Sequence, residues 1–492
     1  MAFLNTFIDL NLNSMLKHRL AVIAILALPL AAYCQKDKDA VIKSLDSKYD
    51  HYSSVAKQIW EFAEPGYLED KSSALLASEL EKAGFKVEKG VAGIPTAFVA
   101  TYGSGKPVIG VLGEFDALPG LSQEAFYPER KIKVEGAPGH GCGHNLFGTG
   151  SLAAAIETKE WLAKNKKTGT VKFYGTPAEE AGDAKVFMVR EGLFNDVDAV
   201  ITWHAGDRNN AGPNTNLATK AGVFKFKGIA SHAAAAPERG RSALDGVEAM
   251  NSMVNMMREH TTEPTRIHYV IRRGGEAANV VPAYAEVEYL VRHRDREEVR
   301  RIWDRIVKCA EGAAHGTETT VEVQVEGGTF DRLPIEALSM AMYKNLEKVG
   351  GVSYTPEEKA FAEKLSKSFG DRSVPLESAN QIQPFKYSHT NASADTGDVS
   401  WVVPTASMTA ATYVPGTPGH SWQAVSCTGS TIGFKGMLVA AKTLTMTAID
   451  LFTDPKLLEA SKKEFDQKRG ANFKYESLVG DIPPPLDIRK SK

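Results

Sequence analysis

The feature that most constrains this chain is a glycine-rich segment, residues 140–145, with the sequence His-Gly-Cys-Gly-His-Asn. A thiol and an imidazole two positions apart, Cys142 and His144, can reach one cation because the glycines let the backbone fold closely around it. The acidic pair Glu179 and Glu180 lies downstream. One carboxylate can bind the metal while the other takes a proton from water, as metal-assisted hydrolysis requires. The pattern predicts a hydrolytic metal site.

Each candidate ligand outside this segment follows a run that reads as a buried strand. The acidic pair comes after the largely apolar run 171–174, and His204 comes directly after the run 198–203. His420 follows the strand-like run 408–413, in a loop rich in proline and glycine. Ligands in open α/β sheets bind beyond the carboxyl ends of strands, so these placements favour a metal site over a packed thiol or a solvated acidic pair.

Other kinds of site and partner fit the sequence less well. The four cysteines, at positions 34, 142, 309 and 427, show no Cys-x-x-Cys spacing, which disfavours a structural zinc knot. The chain has no Gly-x-Ser-x-Gly motif, which argues against a serine hydrolase. A net charge of -2 gives no basic surplus, so nucleic acid is not expected as a partner.

Several short motifs occur in an order that resembles one enzyme family. They lie at residues 113–119, 139–145, 177–180, 203–204, 231–237, 275–282 and 418–420. The chain resembles the co-catalytic metallo-amidohydrolases, which include aminoacylases, glutamate-releasing carboxypeptidases and auxin-conjugate hydrolases. It looks closest to the branch formed by the B-type subunit of aminobenzoyl-glutamate hydrolase, through residues 232–245, 258–260 and 394–401.

The resemblance implies two divalent metal ions per subunit, zinc or manganese, bridged by Cys142 as a thiolate. The other metal ligands that it implies are His144, Glu180, His204 and His420. Glu179 is then the general base that activates the bridging water. The chemistry of the residues agrees, because a thiolate is a good bridging anion and a base must not itself be held by metal.

One early motif departs from the commoner pattern of the family. Many members carry His-x-Asp at the end of an early strand, with that histidine as a ligand, whereas this chain has Glu114, Phe115 and Asp116 there. The resemblance implies that His144 takes over the missing ligand role. Asp116 is expected to orient a histidine from outside the ligand set. The assignment of each ligand to each metal stays open.

Three residues in the middle of the chain gain a role only from the resemblance. Taken singly, His232, Asn279 and Arg292 read as structural residues, and Arg292 lies in a charged cluster that is typical of solvated surface. The resemblance implies that His232 reaches a neighbouring subunit's active site and polarises the scissile carbonyl, with support from Asn279. Arg292 would bind the substrate carboxylate in a bidentate contact. Such a site requires a dimer, either of two copies or with a related subunit.

The order of predicted elements indicates an α/β fold with an inserted domain. Short apolar strands alternate with amphipathic helices over residues 41–220, as in a layered α/β domain. Residues 223–325 then read as strand, helix, two strands, helix and strand, the ferredoxin-like βαββαβ plan. We therefore expect a catalytic domain with a mixed sheet at 35–221 and 334–492, and a dimerisation or lid domain at 222–333.

The N-terminus reads as a secretory signal peptide over residues 1–34, with Met15 as the start of translation. A basic segment, residues 17–19, precedes the apolar run 20–32, which is too short to span a bilayer comfortably. We expect an exported, periplasmic protein whose mature form has no stable membrane span. A retained membrane anchor is the alternative reading.

These features together predict a dinuclear metal-dependent amidohydrolase that cleaves the amide of N-acyl or N-aroyl amino acids. Aminobenzoyl-glutamate is the expected substrate. One alternative is an aminoacylase or dipeptidase of broad specificity. Another, from a different class, is an exported solute-binding protein, which would not need Glu179 beside a set of metal ligands.

Overall fold

The structure is a computed structural model that describes residues 36–371 and 374–489. Its helices, α1 to α12 in chain order, are Tyr49–Phe62, Asp70–Lys82, His144–Asn165, Ala184–Arg190, Ala243–Arg258, Arg296–Gly316, Glu336–Val349, Pro356–Ser366, Thr396–Val402, Trp422–Thr428, Thr431–Thr453 and Pro455–Arg469. Its strands, β1 to β12, are Lys86–Lys89, Phe98–Ser104, Val108–Gly113, Gly169–Gly175, Ala199–Gly206, Asn214–Thr215, Ala218–Lys227, Arg266–Arg273, Tyr284–His293, Thr320–Thr329, Ser388–His389 and Thr405–Ala411. The predicted signal peptide lies outside the described residues.

The larger sheet has the strand order β1-β2-β4-β3-β5-β12. Strands β4, β3, β5 and β12 run parallel, whereas β1 and β2 pair antiparallel, so the sheet is mixed, as the sequence predicts. All six residues of β3 are buried. A strand covered on both faces needs a continuous apolar run rather than an alternating one. Helices α3 and α11 pack against each other and against this sheet.

The smaller sheet forms the inserted unit and has the antiparallel order β10-β7-β9-β8. Burial alternates along β9, so that Ala285, Val287, Tyr289 and Val291 face the helices α5 and α6. The chain order β7, α5, β8, β9, α6, β10 is the predicted βαββαβ plan, although β7 begins at Ala218 rather than at Val223. The predicted domain bounds of 222 and 333 stay a prediction.

A stacked arginine at the junction connects the inserted unit to the larger domain. Arg296 begins α6, and its guanidinium lies 3.5 Å from the ring centroid of Trp401 in α9. The rings of Phe330 and Phe473 lie 5.0 and 5.3 Å from the same guanidinium. A cation held among aromatic faces in a largely buried position is a stronger contact than one at an exposed site. This cluster therefore attaches the start of α6, in the inserted unit, to the larger domain.

Helix α11 is long and apolar enough to cross a membrane by length and composition alone. However, 89% of its most apolar window is buried inside the protein. Gly436 in this helix lies so close to β12 that a β-carbon there would stand 2.3 Å from the carbonyl oxygen of Ala411. The helix is therefore packed as a core element of the larger domain.

Candidate metal centre

Three candidate metal ligands, Glu180, His204 and His420, and the predicted outer carboxylate of Asp116 lie at the carboxyl ends of four parallel strands of the larger sheet. Asp116 follows β3, the acidic pair at 179–180 follows β4, and His420 follows β12. His204 lies inside β5, because that strand continues to Gly206 instead of ending at residue 203 as predicted. The hydrogen-bonded pairing of β5 with β12 runs past the apolar run, through His204 opposite Thr409.

The glycine-rich segment turns directly into helix α3, which begins at His144. Gly143 just before it has a φ of 80°, in the left-handed region that favours glycine. A β-carbon on Gly143 would stand 2.5 Å from the β-carbon of Ala205, so there is no room for a side chain. The hydroxyl of Tyr413 donates a hydrogen bond of 2.7 Å to the carbonyl of Cys142. These contacts fix Cys142 and His144 on the same side of the helix start.

One group of ligand atoms comes from Cys142, His144 and His204, which all lie within 4.8 Å of one another. The Sγ atom of Cys142 is 3.4 Å from Nε2 of His204. Nδ1 of His204 lies 2.7 Å from the carbonyl oxygen of Ala205, and Nδ1 of His144 lies 2.8 Å from Oδ1 of Asp116. Because each Nδ1 has a partner, each Nε2 is left to face a cation.

A second group comes from Cys142, Glu180 and His420, again within 4.8 Å of one another. Nε2 of His420 lies 3.4 Å from Oε1 of Glu180. His420 has a φ of 53°, an unusual backbone state for a residue other than glycine, and such states cluster at functional sites. Cys142 is therefore the candidate ligand that the two groups share.

Unpaired polar atoms test whether these residues fit a metal. Nε2 of His144 and Oε1 of Glu180 are buried and make no well-aligned hydrogen bond among the described residues, although Oε2 of Glu114 lies 3.1 Å from the first and Nε2 of His420 lies 3.4 Å from the second. A buried polar atom without a partner costs about 1–3 kcal/mol, so the arrangement is unfavourable unless something binds there. A thiol, imidazoles and a carboxylate form a donor set that suits zinc and also manganese. The residues therefore fit divalent metal ions.

The protonation states of the neighbouring groups follow from their burial. Burial raises the pKa of Glu179 well above its ordinary range, and the nearby carboxylates of Glu114 and Glu180 add to the effect. Burial also raises the pKa of the Cys142 thiol, to which Glu180 contributes. In contrast, burial lowers the pKa of His204 to about 4, which keeps its imidazole neutral. A neutral imidazole is the form that binds a metal.

Three charged residues behind the centre were not predicted. Nζ of Lys185 lies 2.7 Å from Oε1 of Glu114 and 2.7 Å from Oδ1 of Asp395, and all three side chains are almost fully buried. Oε2 of Glu114 faces Nε2 of His144 at 3.1 Å. Two features of the sequence could have indicated this network: a lysine, Lys185, inside the apolar segment of α4, and the glutamate at position 114, for which no role was predicted.

Comparison with known proteins identifies the family. The M20_dimer model, described as a peptidase dimerisation domain, matches residues 204–318. The chain is 43% identical over 450 residues to the B-type subunit of p-aminobenzoyl-glutamate hydrolase from Escherichia coli, a match that covers 86% of this chain and 94% of the relative. The chain belongs to the M20 peptidase family. This result confirms the family resemblance that the sequence motifs indicated. The protein is therefore an enzyme of the metallopeptidase and amidohydrolase class.

Two further known proteins are similar to most of this chain. Xaa-Arg dipeptidase of Mus musculus is 28% identical and covers 89% of this chain and 94% of its own. A crystal structure of a dinuclear metal-binding peptidase of the M20 family from Bacillus subtilis superposes with a TM-score of 0.55 at 15% identity. That match covers 83% of this chain and 99% of the other. It supports the α/β fold with its inserted unit.

The residues predicted in the inserted M20 unit lie in two different places. Arg292 lines the same cavity of about 780 Å³ as Cys142 and Glu179, and its Nη1 donates a hydrogen bond of 3.3 Å to Oγ of Ser393. His232 is exposed, and its Nδ1 accepts hydrogen bonds from two backbone amides in its own turn. Asn279 is also exposed and lies beside that turn. Neither His232 nor Asn279 lines the cavity of its own chain.

The buried lysine generates a prediction about stability. Lys185→Met should lower the free energy of unfolding by about 3–5 kcal/mol, because it leaves Glu114 and Asp395 buried without their cation. Lys172→Met is the matched control, since Lys172 pairs with Asp196 at the surface, where such a pair contributes about 0–1 kcal/mol. Urea unfolding of both variants measures the difference. Equal losses in the two variants would show that the buried network does not stabilise the site.

Proposed function

We propose that this M20 enzyme hydrolyses the amide bond of N-aroyl and N-acyl amino acids, with p-aminobenzoyl-glutamate as its principal substrate. The observation that carries the proposal is one cavity lined by four of the five candidate metal ligands, Cys142, Glu180, His204 and His420, together with Glu179 and Arg292. The 43% identity to the E. coli p-aminobenzoyl-glutamate hydrolase chain supports the choice of substrate. A broad dipeptidase is the second candidate, because the mouse Xaa-Arg dipeptidase is also similar to most of this chain.

The proposal includes two divalent ions, zinc or manganese. His144 and His204 would hold one, Glu180 and His420 would hold the other, and Cys142 would contact both. When bound, such ions lower the pKa of a water molecule and polarise a carbonyl group. Asp116 supports both sets, since Oδ1 contacts His144 and Oδ2 accepts a hydrogen bond of 2.9 Å from the amide of Glu180.

The chain's own residues then handle the proton and the substrate. Glu179 takes a proton from the attacking water and delivers it to the amide nitrogen, so that the C–N bond breaks with a neutral amine as the leaving group. Its raised pKa suits a group that must both accept and return a proton. Arg292 binds a carboxylate of the substrate and so holds the scissile bond over the centre.

The same proposal includes a dimer whose subunits share active sites. Edge strand β8 pairs with β9 on one side only in the sheet, and it exposes Tyr269, Val270 and Ile271. An edge of this kind is a template for pairing with another chain, either a second copy or a related subunit. The match to a peptidase dimerisation domain includes this strand. In such a dimer His232 reaches the partner's cavity and stabilises the developing oxyanion.

Export to the periplasm is also part of the proposal. It is supported by the basic segment and the apolar run near the N-terminus, which lie in residues 1–35 outside the described chain. Fractionation of cells that make the full chain would place it in the periplasm, whereas a retained anchor would leave it with membranes.

A substrate panel tests the central claim. Purified protein supplied with zinc or manganese should release glutamate from p-aminobenzoyl-glutamate faster than it cleaves N-acetyl amino acids or Xaa-Arg dipeptides. Release of p-aminobenzoate and free amino acid measures kcat/KM for each compound. A higher value for the Xaa-Arg dipeptides would replace the proposed substrate with the second candidate, and no hydrolysis with either metal would refute the proposal.

The two neighbouring glutamates should respond differently to the same substitution. Glu179→Gln should keep the metal content and lose about a hundredfold or more in kcat, as expected when a general base is removed. Glu180→Gln should lose bound metal as well, because it removes a ligand oxygen. Metal analysis of the purified variants beside steady-state kinetics separates them. Equal metal loss in both would show that Glu179 is also a ligand.

Mixed dimers test the shared site. His232→Ala should leave metal binding intact but lower turnover by about a hundredfold to a thousandfold, the usual effect of losing an oxyanion donor. A heterodimer of Glu179→Gln and His232→Ala has one site with both lesions and one site with neither. Activity should therefore partly return when the two inactive proteins exchange subunits. If exchange occurs and the mixture stays inactive, His232 does not act across the dimer.

A further inference from the structure

The cavity that holds the acidic pair is also lined by a second arginine, Arg332, for which the sequence predicted no role. Its Nη1 donates a hydrogen bond of 2.6 Å to Oδ1 of Asn214, and its Nε is buried without a hydrogen-bond partner. Arg292 is likewise bonded only to a neutral group, the hydroxyl of Ser393. Within residues 36–371 and 374–489, no carboxylate forms a hydrogen bond or an ion pair with either guanidinium, although the charges of Glu114 and Glu179 act on Arg332 from a greater distance.

This pair contrasts with other arginines of the same chain. Arg272, on the outer strand β8, contacts both Glu288 and Glu326 through charge-assisted hydrogen bonds of 2.8–2.9 Å. Arginines that are removed from water are normally paired, because an uncompensated buried charge is costly. Burial lowers the pKa of both Arg292 and Arg332, which reflects that cost. Two such cations in one cavity indicate that anionic groups bind between them.

The backbone holds Arg332 in a fixed position. Its amide donates a hydrogen bond of 2.6 Å to Oδ1 of Asn216, and its carbonyl accepts one of 2.8 Å from the hydroxyl of Thr215. With the contact to Asn214, three successive residues in and next to β6 support this one arginine. Because the main chain of Arg332 is fixed and Asn214 holds its side chain, the guanidinium loses little conformational freedom when a ligand binds. Its remaining N–H donors are therefore oriented in advance for a carboxylate.

The positions of the two arginines match a ligand with two separate negative charges. Arg292 comes from β9 of the inserted unit, whereas Arg332 lies in the connection that returns the chain to the larger domain after β10. The cavity also contains Glu179, Glu180 and Asp183. A substrate dianion would be repelled by these acids unless more than one cation faced it.

We propose that Arg332 binds a second carboxylate of the substrate, so that the enzyme selects amides whose leaving amino acid is acidic, such as glutamate or aspartate. Arg292 binds the other carboxylate of the same amino acid. The assignment rests on the proposed amide hydrolysis and narrows it to one class of leaving group. A site built to pair a charged group discriminates strongly against an analogue that lacks the charge, because its own cation is then left unpaired.

Amide analogues of the substrate test each carboxylate separately. The compounds are p-aminobenzoyl-glutamate, p-aminobenzoyl-glutamine and p-aminobenzoyl-isoglutamine, in which the side-chain or the α-carboxylate is replaced by a neutral amide of similar size. The wild-type enzyme should prefer the glutamate compound over both analogues. In Arg332→Gln, the ratio of kcat/KM for the glutamate compound to kcat/KM for one analogue should fall by about tenfold to about a hundredfold, the range expected for loss of a hydrogen bond to a charged group. Arg292→Gln should lose the preference over the other analogue.

Matched variants separate recognition from stability. Arg301→Gln alters an arginine that pairs with Glu298 on the surface of α6, outside the cavity, so its ratios of kcat/KM values among the three compounds should equal those of the wild type. Arg332→Gln keeps a side-chain donor that can reach Asn214, so the local structure is preserved. Arg332→Lys keeps the positive charge but removes the two parallel N–H donors of the guanidinium. Because each ratio is measured within one protein, a partly unfolded preparation does not change it.

The outcomes distinguish this assignment from the proposed function. If the wild type hydrolyses p-aminobenzoyl-glutamate but Arg332→Gln lowers kcat/KM equally for all three compounds, Arg332 is structural and only this assignment is overturned. The same conclusion holds if Arg332→Gln and Arg292→Gln lose their preference over the same analogue. If the wild type hydrolyses none of the compounds with either metal, the proposed function fails and the assignment fails with it.

Discussion

The structure depends on the compensation of acidic groups that two neighbouring parallel strands bring to one place. Glu114, Asp116, Glu179 and Glu180 all follow β3 or β4, and the thiol of Cys142 stands among them. Burial and the repulsion of neighbouring acids raise the pKa values of Glu179 and Glu180, whereas the charge of His144 lowers the pKa of Asp116. Lys185 provides one fixed cation, and the proposed divalent ions would supply further positive charge beside His144 and Glu180. The chemistry and the stability of this region therefore have a common electrostatic origin.

The inserted unit completes the cavity without forming part of the metal centre. The Arg296 cluster fixes its base on the larger domain, while Arg292 on β9 and Arg332 beyond β10 reach the cavity from the junction between the two sheets. Any rotation at this junction changes the distance between the two guanidinium groups and the centre. Substrate recognition through these arginines, as proposed, would thus be sensitive to the arrangement of the domains, whereas the candidate metal ligands all lie in the larger domain.

Much of this organisation could be predicted from the sequence. Glycines, histidines and acids at the ends of apolar runs indicate ligands at strand ends, and the βαββαβ order follows from hydrophobic periodicity. The buried network could not be predicted in the same way, because Lys185 and Asp395 are 210 positions apart and pair only in the folded chain. Arg332 gave no signal for a similar reason: its support comes from backbone contacts with residues 214–216, far away in sequence. The end of β5 was placed too early because strand pairing, rather than apolar character, determines where a strand stops.

Asp116 has a consequence for how such a centre can change over evolutionary time. One of its oxygens orients His144 and the other holds the amide of Glu180, so a single carboxylate links the two groups of ligands. A backbone shift that moves one group must pull on the other through this link. A sequence change that alters the spacing between the two ligand groups must therefore accommodate both groups at once, a constraint that other side chains lining the cavity do not carry.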